Sequence, residues 1–378
     1  MECQYFGQCG SCTLHVQSYE EQVKGKHERV AELLAPYFTG DLEVHTSDES
    51  HYRSRAEFRI WHTRGDDGER CDYAMGNLTK DGTVTIETCP KVIEPIDRVM
   101  PPLREAINAS EVLKHKLFAV EFLATTTGEV LVTLIYHRRL DEAWEDEARA
   151  LEKQLEIYII GRSRKQKVVL SRDYVTETLT IEGSPFVYRY HEGGFTQPNP
   201  AVNTQMITWA VRQAAGIGGD LLELYCGLGN FTLPLARQFE RVLATEVSKT
   251  SIRAAKENVA LNGADNITFV RMSSEEMVDA FEGVRPFRRL EQEGVKLSDY
   301  AFSTVLVDPP RAGLDPATIG LVTRFDNILY ISCNPETLAR DLATLTRTHT
   351  VRKAAIFDQF PHTGHVESGV WLQRRKTS

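Results

Sequence analysis

The chain has 378 residues, room for about two domains, and its 42% apolar content is that of a globular protein. No apolar run approaches the ~18 residues of a membrane span, and Met1-Glu2-Cys3-Gln4 lacks the basic start and apolar stretch of a signal peptide, so a cytoplasmic protein without membrane contact is expected. The 44 Lys and Arg against 53 Asp and Glu give a formal charge of −9, which weighs against nucleic-acid binding unless cations are locally clustered.

In chain order, three of the seven cysteines (Cys3, Cys9 and Cys12) crowd the first twelve residues. An odd cysteine count in a cytoplasmic chain is not a disulfide framework, so some of these thiols are candidate ligands or nucleophiles. His15 to Leu34 reads as a helix. From about Glu43 to Tyr190, short alternating runs such as Ala56–Trp61 and Val130–Ile135 read as strands, separated by turn signals such as Asp81-Gly82 and Thr127-Gly128. Helical stretches near Val99–Ala109 and Glu142–Leu155 interrupt them. This half is expected to be an α+β domain, residues 1–190. It carries two basic clusters, Arg53, Arg55 and Arg59, and the run Arg162 to Lys167; the bland alternative for both is a solvated charged face.

From residue 191 to 378 the pattern changes. Strands at Leu221–Cys226, Arg241–Val247, Asn266–Met272, Ser303–Asp308 and Ile328–Cys333 alternate with helices at Phe231–Phe239, Lys249–Asn262 and Pro335–Leu345, and strands at Val351–Phe357 and Gly369–Gln373 close the set. Such alternation implies an α/β fold with a mostly parallel sheet, Rossmann-like, whose ligands sit beyond the C-terminal ends of the strands.

Tyr225-Cys226-Gly227-Leu228-Gly229-Asn230-Phe231 follows the first of these strands and opens a helix. Glu246, about 20 residues on, ends the next strand, where an acidic side chain accepts hydrogen bonds from a ribose diol. The third glycine of the dinucleotide fingerprint is missing, since position 232 is Thr. An adenosyl ligand without phosphates therefore fits better than a dinucleotide. Asp308-Pro309-Pro310-Arg311 places a carboxylate at the same sheet edge. Cys333 ends the fifth strand just before a helix, and a helix N-terminus favours a thiolate; a buried, inert thiol is the alternative. Glu367 follows in Phe357-Asp358-Gln359-Phe360-Pro361-His362-Thr363-Gly364-His365-Val366-Glu367, with His362 and His365 as rival bases. One thiol, one base and an electrophilic methyl donor are what uracil C5 methylation needs. A thiolate adds to C6, C5 becomes nucleophilic and takes the methyl, and a base removes the C5 proton as the thiol leaves.

The segments 222–231, Thr245-Glu246, Asp308–Arg311, Ser332-Cys333-Asn334-Pro335-Glu336-Thr337, Asp358–Pro361 and Phe195-Thr196-Gln197-Pro198-Asn199 resemble the RNA uracil-C5 methyltransferases, over essentially all of 191–378. The resemblance implies a class I S-adenosylmethionine-dependent methyltransferase, with Gln197, Tyr225, Asn230, Glu246 and Asp308 contacting S-adenosyl-L-methionine. It further implies Cys333 as nucleophile, Glu367 as proton acceptor, and an RNA-binding first domain that holds a flipped-out base. Arg55–Trp61, His115–Phe118 and Asp358–Pro361 resemble the branch that acts on uracil 54 in the T loop of tRNA. Cys3, Cys9, Cys12 and Cys89 resemble instead the iron–sulfur ligand set of the ribosomal-RNA branch, which implies a 4Fe–4S cluster; zinc or plain thiols are the alternatives. The expected partner is RNA, tRNA first and 23S rRNA second, bound by a monomer. An amino-group methyltransferase is disfavoured because Arg311, not an aromatic residue, follows Asp308-Pro309-Pro310, and a non-catalytic RNA-folding module would need neither Cys333 nor Glu367.

Overall fold

The computed structural model describes residues 1–66 and 68–376. Its first helix, α1 (Tyr19–Leu34), begins at Ser18, whose side chain accepts from the Glu21 N–H while Glu21 reaches back to the Ser18 N–H, a capping box. That box sets the start four residues later than the expected His15. A short strand, β1 (Glu43–His45), follows.

Strands β2 (Arg55–Gly65), β3 (Gly68–Gly76), β4 (Thr83–Ile86), β5 (Leu117–Ala124), β6 (Val130–Tyr136), β7 (Tyr158–Ser163) and β8 (Gln166–Val169) form a seven-stranded sheet in the order β4-β3-β2-β5-β6-β7-β8. Helices Glu94–Ala109 and Glu142–Leu155 pack against it through Ile96, Met100, Leu103, Ile107, Trp144 and Ala148. The first of these starts five residues before the expected Val99. Pro95 suits its first turn, and its buried apolar stripe carries it through Pro101 and Pro102. A hairpin of β9 (Tyr174–Ile181) and β10 (Ser184–His191) leads to the second half.

There, β11 (Asp220–Leu224), β12 (Arg241–Thr245), β13 (Ile267–Val270), β14 (Phe302–Val307), β15 (Asn327–Ser332), β16 (His349–Phe357) and β17 (Glu367–Arg374) make an eight-stranded sheet with β1, in the order β1-β16-β17-β15-β14-β11-β12-β13. Strands β11 to β15 pair in parallel, and only β17 runs antiparallel to its neighbours. The fully buried β11 and β15 are what a parallel sheet covered on both faces requires. This is the α/β, Rossmann-like architecture that the alternation implies.

Two local differences matter. The helix expected at Phe231–Phe239 is one turn, Thr232–Leu235, continued as a 3₁₀ turn to Gln238. And β1 pairs in parallel with β16, Glu43 opposite Ala355, while α1 packs over the same layer through Val30 and Leu34. Residues 19–45 therefore lie on the C-terminal sheet although they precede the N-terminal one in sequence.

Candidate active site

The C-terminal edge of the eight-stranded sheet gathers the chemistry. After β11 the chain turns through Tyr225 (φ 61°) and Gly227 (φ 55°), both left-handed. The unfavourable backbone at Tyr225 is held by its hydroxyl, which donates to Ser274 Oγ at 2.7 Å. Glu246, one residue past β12, has its carboxylate aimed by two backbone donors, Gly227 N–H at 3.3 Å and Ser248 N–H at 2.8 Å. Asn230 is locked in reciprocal amide bonds with Asn203, 2.8 and 2.9 Å. Gln197 Oε1 accepts from Gln359 Nε2 at 3.3 Å. Together with Asp308, these five line one cavity of about 560 Å³ whose rim includes the exposed Phe195 and Val247, a size typical of a small-molecule site. The cavity is mostly apolar, the Glu246 carboxylate in its wall is fixed by two backbone donors, and position 232 is Thr where the dinucleotide fingerprint has its third glycine, features that an adenosyl ligand fits.

Beside the cavity stand Cys333, Glu367 and Asp308. The antiparallel β15–β17 register ends at Ser332 opposite Ser368, which makes Cys333 and Glu367 the next opposed positions. Asp308 leaves the parallel neighbour β14 and also lines the cofactor cavity. Burial raises the Asp308 carboxyl to about 7. Burial, and then Asp308, raises Glu367 to about 8. The Cys333 thiol is pushed up to about 11 by burial and then by Glu367 and Asp308, with Arg311 opposing. This corrects the expectation of a helix-stabilised thiolate. The helix Pro335–Leu345 is there, capped by Asn334, but burial first and then the two carboxyls outweigh its N-terminus.

Of the rival bases, His362 is committed elsewhere. Its ring nitrogens meet Gln22 Nε2 at 3.2 Å and the Glu49 carbonyl at 2.8 Å. His365 lines a different cavity. That second cavity, about 390 Å³, is lined by Cys3, Cys9, Cys12 and Cys89 together. The Cys12 thiol is raised to about 11 by burial, with Lys91 opposing and the other three thiols adding to it. In number and donor type the four fit a Cys-ligated cluster, but among the described residues no three His, Cys, Asp or Glu side chains already stand together as a metal site.

The basic clusters are partly consumed by structure. Arg53 donates to the Arg55 carbonyl, Arg55 to the Gly194 carbonyl, and Arg162 makes a bidentate pair with Glu192. Arg59 instead lies 4.3 Å over the Phe118 ring, which stacks on His137 at 4.1 Å, next to the half-exposed Trp61 on β2. This cation and aromatic surface suits unpaired bases. Its signal in sequence was faint, because Phe118 and His137 lie 19 positions apart and meet only through β5–β6 pairing. Another buried group gave no sequence signal. Glu223, inside β11, has no partner for Oε2 and is raised to about 8, first by burial and also by Asp308.

The sequence model of the family described as tRNA (Uracil-5-)-methyltransferase matches residues 18–375. The chain belongs to this family. It is a methyltransferase, and none of its described helices is long and apolar enough to cross a membrane. It is similar to a protein of Sulfurovum sp. (strain NBC37-1) named tRNA/tmRNA (uracil-C(5))-methyltransferase, 63% identical over 377 residues, covering 99% of this chain and all of that protein. A protein of the same name from Saccharophagus degradans is 54% identical over 358 residues, 95% of this chain and 97% of that one. Among solved structures, the tRNA (uracil-54, C5)-methyltransferase of Pyrococcus abyssi, in complex with S-adenosyl-L-homocysteine, matches with a TM-score of 0.72 over 96% of this chain and 85% of that chain. At 24% identity this likeness supports the fold.

Proposed function

We propose that this methyltransferase transfers the methyl group of S-adenosylmethionine to carbon 5 of uracil 54 in the T loop of tRNA. The observation that carries the proposal is the grouping of Cys333 and Glu367 with Asp308, which itself lines the cavity that holds Glu246. S-adenosylmethionine supplies an electrophilic methyl on a sulfonium. Glu246 holds the ribose diol, and Gln197, Tyr225, Asn230 and Asp308 form the walls. Cys333 gives up its proton to a neighbouring carboxylate, and its sulfur adds to C6 of the uracil. Carbon 5 then uses its electron pair to take the methyl, and the electrons of the broken S–CH3 bond stay with the departing S-adenosylhomocysteine. Glu367 in the carboxylate form removes the C5 proton, the C5–C6 double bond re-forms and the C6–S bond breaks, returning the thiolate. The α+β segment that ends near Tyr190 holds the RNA, with Arg59, Phe118 and His137 as its base-contacting surface.

Two further assignments belong to this proposal. Cys3, Cys9, Cys12 and Cys89 would hold a Cys-ligated 4Fe–4S cluster with a structural role, which draws the cysteine segment against β3 and β4. The chain acts as a monomer in the cytoplasm, where its RNA is.

The test is mass-spectrometric mapping of 5-methyluridine after incubation with S-adenosylmethionine and either an unmodified tRNA transcript or a 23S rRNA fragment. Methylation at uracil 54 of the tRNA is expected. Methyl found only in the rRNA would move the substrate, and no 5-methyluridine in either would overturn the reaction.

A further inference from the structure

The buried stripe of α1 is Gln22, Lys26, Val30 and Leu34, four residues apart on one face. A helix packed for stability alone fills such a stripe with apolar side chains. Here the C-terminal half does so, with Val30 and Leu34 in the core of the eight-stranded sheet. The N-terminal half buries an amide and an ammonium instead, both at 4% exposure or less. Burying a charge is costly unless it is paired, so these two positions are specified by what they face.

They face the segment 358–366, which links β16 to Glu367. Lys26 Nζ donates to Asp358 Oδ1 at 2.7 Å and to the Phe360 carbonyl at 3.0 Å. Gln22 brackets His362: its Oε1 accepts the His362 N–H at 2.8 Å, and its Nε2 meets the ring at 3.2 Å. His362 holds a left-handed backbone, φ 64°, which those contacts stabilise. One turn further along α1, Arg29 donates to the Gly364 carbonyl at 2.9 Å and pairs with Glu336 at 3.1 Å. Glu336 lies three residues beyond Cys333, in the first turn of the following helix. A single helix face thus holds the segment that delivers Glu367 and touches the helix that follows Cys333.

We propose that α1 is a positioning strut for the two reacting side chains, with Lys26 and Gln22 fixing the approach of Glu367 and Arg29 tying it to the Cys333 side. This rests on the assignment of Glu367 as base and Cys333 as nucleophile. The adduct leaves only when a carboxylate meets the C5 proton at hydrogen-bond distance. Loosening segment 358–366 slows that step and leaves the RNA surface intact; the segment meets the cofactor cavity through Gln359, which donates to Gln197, so cofactor affinity is measured beside turnover.

The test uses the full chain, S-adenosylmethionine and an unmodified tRNA transcript, with Glu367→Gln as reference. The double variant Lys26→Met/Asp358→Asn removes both charges and keeps the bulk, and Gln22→Leu removes the other tie. Turnover is expected to fall by roughly 10- to 100-fold, the scale of a small misplacement of a reacting group. KM for tRNA should stay at the wild-type value, and calorimetric affinity for S-adenosylmethionine should fall by far less than turnover does. A covalent tRNA–protein species should accumulate on denaturing gels, as in Glu367→Gln, and Lys26→Arg should restore turnover. Wild-type turnover, or slow turnover without the adduct, would leave α1 as a support of the fold alone and overturn the proposal. If the buried variants do not fold, Arg29→Ala, at a partly exposed position, must still show the adduct. No adduct in Glu367→Gln overturns the base and the strut together, whereas adduct there but not in the α1 variants overturns the strut alone.

Discussion

Cys333 and Glu367 are opposed positions one step past Ser332 and Ser368 in the antiparallel register of β15 and β17. With burial, the Glu367 carboxyl helps hold the thiol at about 11, while Glu367 itself ionises at about 8. Below that pH, Glu367 is neutral and cannot repel a thiolate; above it, Glu367⁻ does. Alkylation of Cys333 by iodoacetamide in the free protein should therefore be slow at pH 7 and rise only towards strongly alkaline pH. Glu367→Gln should accelerate it between pH 8 and 10 and change it little at pH 6. Equal rates for wild type and variant across that alkaline range would separate the two groups.

If Cys333 is the nucleophile, RNA carrying 5-fluorouracil at the target position should trap the enzyme, because fluorine replaces the proton that Glu367 must remove. In the presence of S-adenosylmethionine the complex should survive denaturing electrophoresis. Cys333→Ala should abolish this band and reduce turnover to background. Trapping that persists in Cys333→Ala would assign the sulfur attack to another cysteine; Cys226, which lines the cofactor cavity and whose thiol burial raises well above the usual range, is the one to examine.

Glu246 is held by the N–H groups of Gly227 and Ser248, so its carboxylate is preorganised before any ligand arrives. Glu246→Ala removes a charged acceptor from two hydroxyl donors, a loss of ~1.5–3 kcal/mol. Calorimetry should show S-adenosylmethionine affinity weakened by roughly 10- to 100-fold, with tRNA binding unchanged. Unchanged cofactor affinity would remove Glu246 from the ribose position.

The second half of this fold was legible in sequence because each of its signals is local. Leu221, Leu222 and Leu224 make a short apolar strand interrupted only by Glu223, and Gly227, Glu246, Asp308 and Cys333 each sit just past a strand end, so a parallel sheet brings them to one edge without further information. What was not legible depends on distant chain segments. Gln22 and Lys26 look like ordinary solvent positions until segment 358–366 covers them. Strand β1 has three residues and no pattern to indicate β16 as its partner. The raised Cys333 thiol follows first from its burial and then from Glu367 and Asp308 beside it, properties of the topology, whereas the helix N-terminus that argued for a thiolate is a property of the local sequence.

Glu223 supplies a test of electrostatics without touching the reaction. Its side chain is buried in β11, Oε2 has no hydrogen-bond partner, and burial raises its carboxyl from 4.5 to about 8. A group whose folded-state pKa is raised stabilises the fold fully below its unfolded value and loses that contribution as pH rises through the folded value. The window here is pH 4.5 to 8. Glu223→Gln keeps the shape and cannot ionise, so the stability of the variant relative to wild type should climb across that window, by up to ~1.4 kcal/mol per pH unit, and level off above pH 8. Denaturant titrations of both proteins at several pH values between 5 and 9 would measure the difference. A difference that stays flat would mean that Glu223 is ionised and paired in the folded chain, and its coupling to Asp308 would then have to be redrawn.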